Sequence, residues 1–133
     1  MPEPHAQSLA AVTYLVADYD DAIGWFTGKL GFTLVSDQAL SETKRWVEVA
    51  AEPGGVRLLL AKATTPAQIA AIGEAAGDRV AFFLHASDLE RKRVAMEAAG
   101  VRFEEATRHE PYGKVAVFRD LYGNRWDLLE PAA

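Results

Sequence analysis

The sequence predicts an α+β fold, in which two βαβββ modules form a curved, partly open barrel-like sheet with helices outside. The order strand, helix, then three strands occurs twice in the 133 residues. Both long predicted helices run into a glycine and then an apolar residue, in KLGF (29–32) and AAGV (98–101). One strongly twisted sheet carrying one helix buries only one face, whereas two such sheets side by side can enclose a concave cleft that suits a small molecule.

The first module is predicted over residues 8–62. Its first strand is a nearly continuous apolar run, which is typical of a buried strand. The aspartates within residues 18–21 can cap the helix that follows, and Gly31 ends it after Leu30. The predicted strands span residues 9–17, 32–36, 44–51 and 56–61.

Residues 63–78 are predicted to be a linker with a short helix that opens at Thr65 and Pro66. The second module then spans residues 79–131. Asp88 can cap a helix over residues 89–99, with the basic RKR stretch (91–93) on its solvent-exposed face, and Gly100 ends it. The predicted strands span residues 79–86, 101–104, 114–119 and 125–130.

Composition restricts the classes of function. The net charge is -5 and no lysine- or arginine-rich block is present, so we expect no nucleic-acid partner. The chain has no cysteine, which excludes disulfides and thiolate chemistry. No apolar run is long enough for a membrane span, and residues 1–5 lack the pattern of a signal peptide, so we expect a cytoplasmic protein that starts with a short disordered lead.

Each predicted module would leave one strand edge and one concave face uncovered, and natural sheets cover such edges. We therefore expect a homodimer. Whether the two modules pair within one chain or across two chains is left open by the sequence.

Two segments at opposite ends of the chain carry a family resemblance. Residues 16–32 (VADYDDAIGWFTGKLGF) and 118–130 (FRDLYGNRWDLLE) resemble the first strand-helix-strand corner and the closing hairpin of the vicinal oxygen chelate superfamily. That superfamily includes glyoxalase I, bleomycin-resistance proteins and extradiol dioxygenases. Residues 79–103 resemble the start of its second module. The resemblance implies one glyoxalase-like domain, over about residues 8–131, with a small-molecule cleft.

The resemblance also implies where metal ligands would stand in the metalloenzymes of the superfamily. These positions fall on Ala11, Ala81, one of the three leucines at 58–60, and Asp127. Only the last has an oxygen to offer, whereas a tight site needs about three protein ligands. We therefore expect no metal and no other cofactor.

His85 and Asp127 are the candidate catalytic residues. Strand alternation places His85 on the same face as Phe83, so both would point into the cleft if that face is concave. Asp127 shares a face with Arg125. The alternatives are a strand-end histidine satisfied by backbone or water, and an aspartate ion-paired with Arg125 or Arg57.

The candidate ligand-binding residues are aromatic or charged side chains expected on the cleft or its rim: Trp46, Glu48, Phe83, Tyr112 and Arg125. Trp46 could form an aromatic wall beside Glu48, although a solvated strand charge is the favoured interpretation of the glutamate. Tyr112 lies in a predicted rim loop and could close over a ligand. Trp25 and Trp126 are predicted to be core residues.

Three functions remain open. The first is a metal-independent protein that binds a small organic molecule in the cleft, as the antibiotic-resistance branch does. The second is a metal-independent isomerase or lyase that uses His85 and Asp127 as acid and base. The third is a glyoxalase-type lyase that depends on a divalent metal held by displaced ligands.

Overall fold

The structure is a computed structural model that describes residues 5–133. Residues 1–4 of the predicted disordered lead therefore lie outside the described residues. The elements are, in chain order, β1 (Ala11–Val16), α1 (Tyr19–Lys29), β2 (Thr33–Ala39), β3 (Arg45–Ala50), β4 (Arg57–Lys62), α2 (Pro66–Ala71), β5 (Val80–His85), α3 (Leu89–Ala98), β6 (Arg108–Glu110), β7 (Gly113–Arg119) and β8 (Arg125–Pro131). Within residues 5–133, no helix is long and apolar enough to cross a membrane.

The strands form two open four-stranded sheets. Sheet A has the order β1-β4-β3-β2, and sheet B has the matching order β5-β8-β7-β6. In each sheet the first and last strands of the module pair in parallel, and the remaining pairs are antiparallel. The predicted α+β fold with duplicated modules is confirmed.

The predicted strand over residues 101–104 is wrong. Phe103 makes a single antiparallel bridge to Phe118, and the edge strand β6 forms later, at Arg108–Glu110. The side chain of Glu104 turns toward Arg119 and Arg125 and accepts hydrogen bonds from both. The apolar alternation of residues 101–103 resembles that of a strand, but its contacts with β7 are the bridge at Phe103 and a 2.8 Å hydrogen bond from the Glu104 amide to the Val117 carbonyl, which are too few for a ladder.

Local signals for the two long helices are confirmed. Asp18 caps α1 by accepting a hydrogen bond from the Asp21 amide at 2.8 Å, and Asp88 caps α3 through the Arg91 amide at 3.1 Å. Gly31 and Gly100 follow the helices with φ of 72° and 97°. These are left-handed conformations that glycine adopts without steric strain.

One hydrophobic core joins the two modules. The inner faces of both sheets, which carry Tyr14 and Leu60 in sheet A and Trp126 and Leu128 in sheet B, pack around the buried sides of α1 and α3. Phe26 of α1 is fully buried and lies between the modules, with its ring 5.2 Å from that of Tyr14 and 6.0 Å from that of Trp126. The outer faces of the two sheets therefore look away from the shared core.

The C-terminal end of each long helix is capped by a lysine from the other long helix. Lys29, in the last turn of α1, donates a hydrogen bond to the carbonyl of Ala99, the C-cap residue of α3. Lys92 of α3 donates to the carbonyl of Leu30, the C-cap residue of α1. Carbonyls at a helix C-terminus lack partners within the helix, so each lysine caps the helix of the other module.

A buried polar cluster closes the junction between β1 and the turn that joins β7 to β8. Asp120 accepts hydrogen bonds through Oδ2 from Tyr14 Oη at 2.7 Å, Trp126 Nε1 at 2.9 Å and Asn124 Nδ2 at 3.2 Å. Its Oδ1 accepts from the amides of Tyr122 and Asn124, each at 3.0 Å. Five donors around one buried carboxylate connect the first strand of one module to the last turn of the other.

Candidate functional site

Three of the predicted site residues come together on the outer face of sheet B. Phe83 of β5 pairs in register with Asp127 of β8, and His85 pairs with Leu129, so Phe83, His85 and Asp127 share one face. Phe83 is 65% exposed, which is unusual for a phenylalanine in a central part of a strand. His85 is also exposed.

Asp127 lacks the partners that the sequence suggested. No cation lies within 4.0 Å of its carboxylate among the described residues, and its buried Oδ1 accepts no hydrogen bond. Desolvation raises the pKa of the Asp127 carboxyl above its ordinary value, and the nearby Arg108 partly opposes this rise. Arg108 is itself held by Glu105 and Glu110, each at 2.8 Å.

Arg125 lies on the same strand but acts elsewhere. Its guanidinium donates to Glu104 Oε2 at 3.1 Å and to the backbone carbonyl of Asp78 at 3.1 Å. Arg119 binds the same glutamate from β7. Arg125 therefore does not pair with Asp127, because its guanidinium is bound by Glu104 and the Asp78 carbonyl.

Trp46 and Glu48 lie on the outer face of sheet A. Glu48 stands beside Leu59 in the ladder and forms an ion pair with Arg57 at 3.6 Å. Arg57, the second arginine considered as a partner of Asp127, is therefore paired with Glu48 instead. Trp46 follows on the same face and is 42% exposed. Within one chain the two outer faces look away from the shared core, so these residues do not join the residues of sheet B.

Tyr112 occupies the turn between β6 and β7, as predicted, and is 55% exposed. Its carbonyl accepts a hydrogen bond from the Ala132 amide at 2.9 Å, which ties the turn to the end of the chain. It lines neither of the two grooves described on this molecule.

The residues at the expected metal positions do not fit a metal. The register places Leu59, rather than Leu58 or Leu60, on the outer face of β4, where it lies next to Thr13 and Glu48. Neither alanine expected at a ligand position, Ala11 or Ala81, has a donor atom. Across residues 5–133, no group of three or more His, Cys, Asp or Glu side chains is arranged to hold a metal ion.

The sequence did not predict a groove of about 880 Å³ between the modules, which we call the inter-module groove. One wall is the free edge of β5 with the adjoining side of α3, and the other is the end of α1 with the turn between β3 and β4. Phe83 and His85 reach it, whereas Asp127 does not. The turn between β3 and β4 contains PGG at 53–55, whereas the turn between β7 and β8 contains LYG at 121–123. This difference in side-chain volume could have indicated that the first turn leaves more open space beside it.

Comparisons with known proteins agree with this architecture. The family model for the Glyoxalase/Bleomycin resistance protein/Dioxygenase superfamily matches residues 8–128. An uncharacterized protein of Shewanella frigidimarina is 46% identical over 127 residues, which is 93% of each chain.

Two solved structures share the fold. UcmS2 is similar with a TM-score of 0.80 and 28% identity, over 94% of this chain and 98% of that one. TnmS3, an antibiotic binding protein from Streptomyces sp. CB03234, has a TM-score of 0.76 and 21% identity, over 98% of this chain and 100% of that one. The match of the family model over residues 8–128 shows that the chain belongs to the glyoxalase/bleomycin resistance protein/dioxygenase superfamily.

Proposed function

We propose that this protein binds a small, flat organic molecule on the outer face of sheet B, without a metal. The observation that carries the proposal is the pair formed by Phe83, which is 65% exposed, and Asp127, whose Oδ1 is buried with no donor among the described residues. An exposed aromatic ring offers a stacking surface, and a desolvated acceptor without a partner is costly unless a ligand supplies a donor. Antibiotic binding by TnmS3 is consistent with this type of site.

The chemistry of Asp127 defines the ligand further. As a carboxylate it accepts hydrogen bonds only, so the ligand should present a hydroxyl or amine beside its ring. The arginines near Asp127 are engaged by Glu104, Glu105 and Glu110, so they leave the carboxylate available to a ligand.

A second copy of the chain would complete the cleft. The apolar side chains Trp46 and Phe83 are exposed on the outer faces of different sheets, and β1 and β5 each have a free edge. Exposed strand edges and apolar faces favour association. We propose a homodimer in which sheet A of one chain faces sheet B of the other, so that Trp46 and Glu48 reach the ligand of the partner. Sedimentation should give twice 14.5 kDa, and a monomer at micromolar concentration would contradict this arrangement.

The binding proposal is tested by thermal unfolding of the protein with a panel of aromatic antibiotics and metabolites. A ligand at a hundred times its Kd stabilises the native state by about 2.7 kcal/mol, which raises the Tm by several degrees. Phe83→Ala should lose the stabilisation. Val94→Ala, which trims an equally exposed apolar residue on α3, is the matched control and should keep it.

The hydrogen bond is tested with 2-naphthol and its methyl ether, 2-methoxynaphthalene. The wild-type protein should prefer the naphthol, because only the naphthol can donate to Asp127, and Asp127→Ala should abolish the preference. If no compound stabilises the protein, or if Phe83→Ala binds ligands as tightly as wild type does, the proposal is wrong.

A second candidate function is a metal-independent isomerase or lyase. His85 lies on the same face as Asp127, one strand away and offset by two residues, and burial raises the pKa of the Asp127 carboxyl. A carboxylate with a raised pKa is a stronger base, and the histidine could return the proton. NMR analysis of each stabilising compound after incubation distinguishes the functions. Conversion that His85→Gln abolishes would establish the enzyme, whereas unchanged compounds support binding alone.

A further inference from the structure

The inter-module groove results from a difference between two equivalent junctions. When the two sheets are compared strand by strand, Val12 of β1 corresponds to Phe82 of β5, and Leu58 of β4 corresponds to Trp126 of β8. By the same register, Leu84 of β5 corresponds to Tyr14 of β1, since each lies two residues further along its strand.

Large polar side chains fill one of these junctions. There the Tyr14 hydroxyl reaches the turn between β7 and β8, and the cluster around Asp120 occupies the space. At the other junction, Leu84 stands in the place of Tyr14, and by the same register Ala51 stands in the place of Asp120. Both residues line the inter-module groove. Smaller side chains at equivalent places leave the space of about 880 Å³.

The floor of the inter-module groove is apolar. It is formed by Phe32, Leu58, Phe82, Leu84 and Trp126. The partly buried Phe82 ring supplies the aromatic part of this floor, and it packs against the nearly buried Trp126 ring at 4.6 Å. A floor of this kind favours a ring or a short hydrocarbon body.

The rim carries cations without acidic partners. Neither Lys92 nor Arg91 forms a salt bridge among the described residues, and Lys92 donates only to the Leu30 carbonyl. Partial burial lowers the pKa of the Lys92 ammonium, so the charge is not fully solvated there. The rim acids are Asp88, whose carboxylate caps α3, and Glu52, which is exposed in its turn. His85 is the remaining titratable group of the rim.

We propose that the inter-module groove is a second binding site, which takes a small aromatic carboxylic acid. The ring lies on the apolar floor, and the carboxylate accepts hydrogen bonds from Lys92 and Arg91 at the rim. Two of the three ammonium hydrogens of Lys92 remain available, since only one is used by Leu30. This site shares Phe83 with the one proposed for the outer face of sheet B but differs from it in Asp127, which does not line the groove.

The test uses 2-naphthoate and its neutral amide, 2-naphthamide, titrated calorimetrically into the full chain. The wild-type protein should bind the carboxylate about tenfold more tightly than the amide, as expected for charge-assisted hydrogen bonds at a partly exposed rim. Lys92→Met should remove this preference and leave the amide unaffected.

Lys29→Met is the matched control, because Lys29 makes the equivalent helix-capping contact but does not line the groove. It should leave both affinities unchanged. Arg91→Gln gives an independent test of the rim, with an expected loss of several-fold for the carboxylate alone. Ala51→Leu fills the groove and should weaken both compounds.

Equal losses in Lys29→Met and Lys92→Met, or an unchanged preference in both Lys92→Met and Arg91→Gln, would overturn the proposal. A changed affinity for naphthoate in Asp127→Asn would also overturn it, since that result places the compound beside Asp127 on the outer face of sheet B. Asp127→Asn with wild-type affinities supports it. The outer-face proposal can fail in its own naphthol test without affecting this one.

Discussion

The carboxylate of Asp120 should contribute more to stability than any other single polar group in the described chain. Asp120→Ala would leave the Tyr14 hydroxyl and the Trp126 indole N–H without an acceptor, and both side chains are only 3% exposed. Each buried donor without an acceptor costs about 1–3 kcal/mol. We therefore expect Asp120→Ala to lower the free energy of unfolding by about 4 kcal/mol, from a total of about 5–15 kcal/mol. Tyr14→Phe removes one donor and leaves the others, so it should cost about 1 kcal/mol.

Urea unfolding measures both losses. With a slope of about 2 kcal/mol per molar urea, the midpoint should fall by about 2 M in Asp120→Ala and about 0.5 M in Tyr14→Phe. Glu42→Ala, which removes an exposed loop carboxylate, should leave the midpoint nearly unchanged.

A double mutant shows whether the two groups act together. In the Asp120→Ala background the Tyr14 hydroxyl already lacks its acceptor, so adding Tyr14→Phe should leave the free energy of unfolding unchanged or raise it. The reasoning is refuted if Asp120→Ala costs no more than Tyr14→Phe, or if Tyr14→Phe carries its full cost in both backgrounds.

Three further predictions concern single positions. Asp127→Asn should stabilise the protein by about 1 kcal/mol at pH 7, after a discount for partial exposure. Because the folded-state pKa is raised, the wild type regains this stability as the pH falls through that pKa, so urea midpoints should converge below the ordinary value of 3.8. Gly73→Ala should cost about 3 kcal/mol, because φ is 77° and the new Cβ would lie 2.2 Å from the Tyr122 carbonyl oxygen; a Tm equal to wild type would contradict this. Gly24→Ala in α1, where nothing lies within 4 Å of the new Cβ, should raise stability by about 1 kcal/mol in the same assay, and a loss would show an unrecognised contact.

Features encoded by neighbouring residues were predictable. The caps Asp18 and Asp88 and the terminating glycines Gly31 and Gly100 act within one helical turn, so a single sequence contains the whole signal. The core position of Trp126 is also confirmed; it was expected because a large aromatic side chain more often packs in the core than contacts a ligand.

Features that depend on distant residues were not predictable. Three successive leucines, 58–60, hide the register of β4, which only pairing with Glu48 and Thr13 resolves. Arg125 stands two residues from Asp127 in sequence, yet it binds Glu104, which approaches from a different segment.

The basic stretch of α3 is a similar case. It was expected on the solvent-exposed face, but Lys92 and Arg93 are partly buried, since one caps α1 and the other lies over the ring of Phe103 at 4.4 Å. Neither contact can be found from residues 91–93 alone.

The exchanged lysine caps bear on how such a duplicated chain can arise. Each module supplies the lysine that binds the C-cap carbonyl of the other module's helix, through Lys29 and Lys92. An ancestor of half the length could have formed both contacts by associating with an identical copy, since the two contacts are equivalent. Fusion of the two genes would then have made the pairing intramolecular, after which Asp120 and Tyr14 could specialise on one side while the opposite side stayed open.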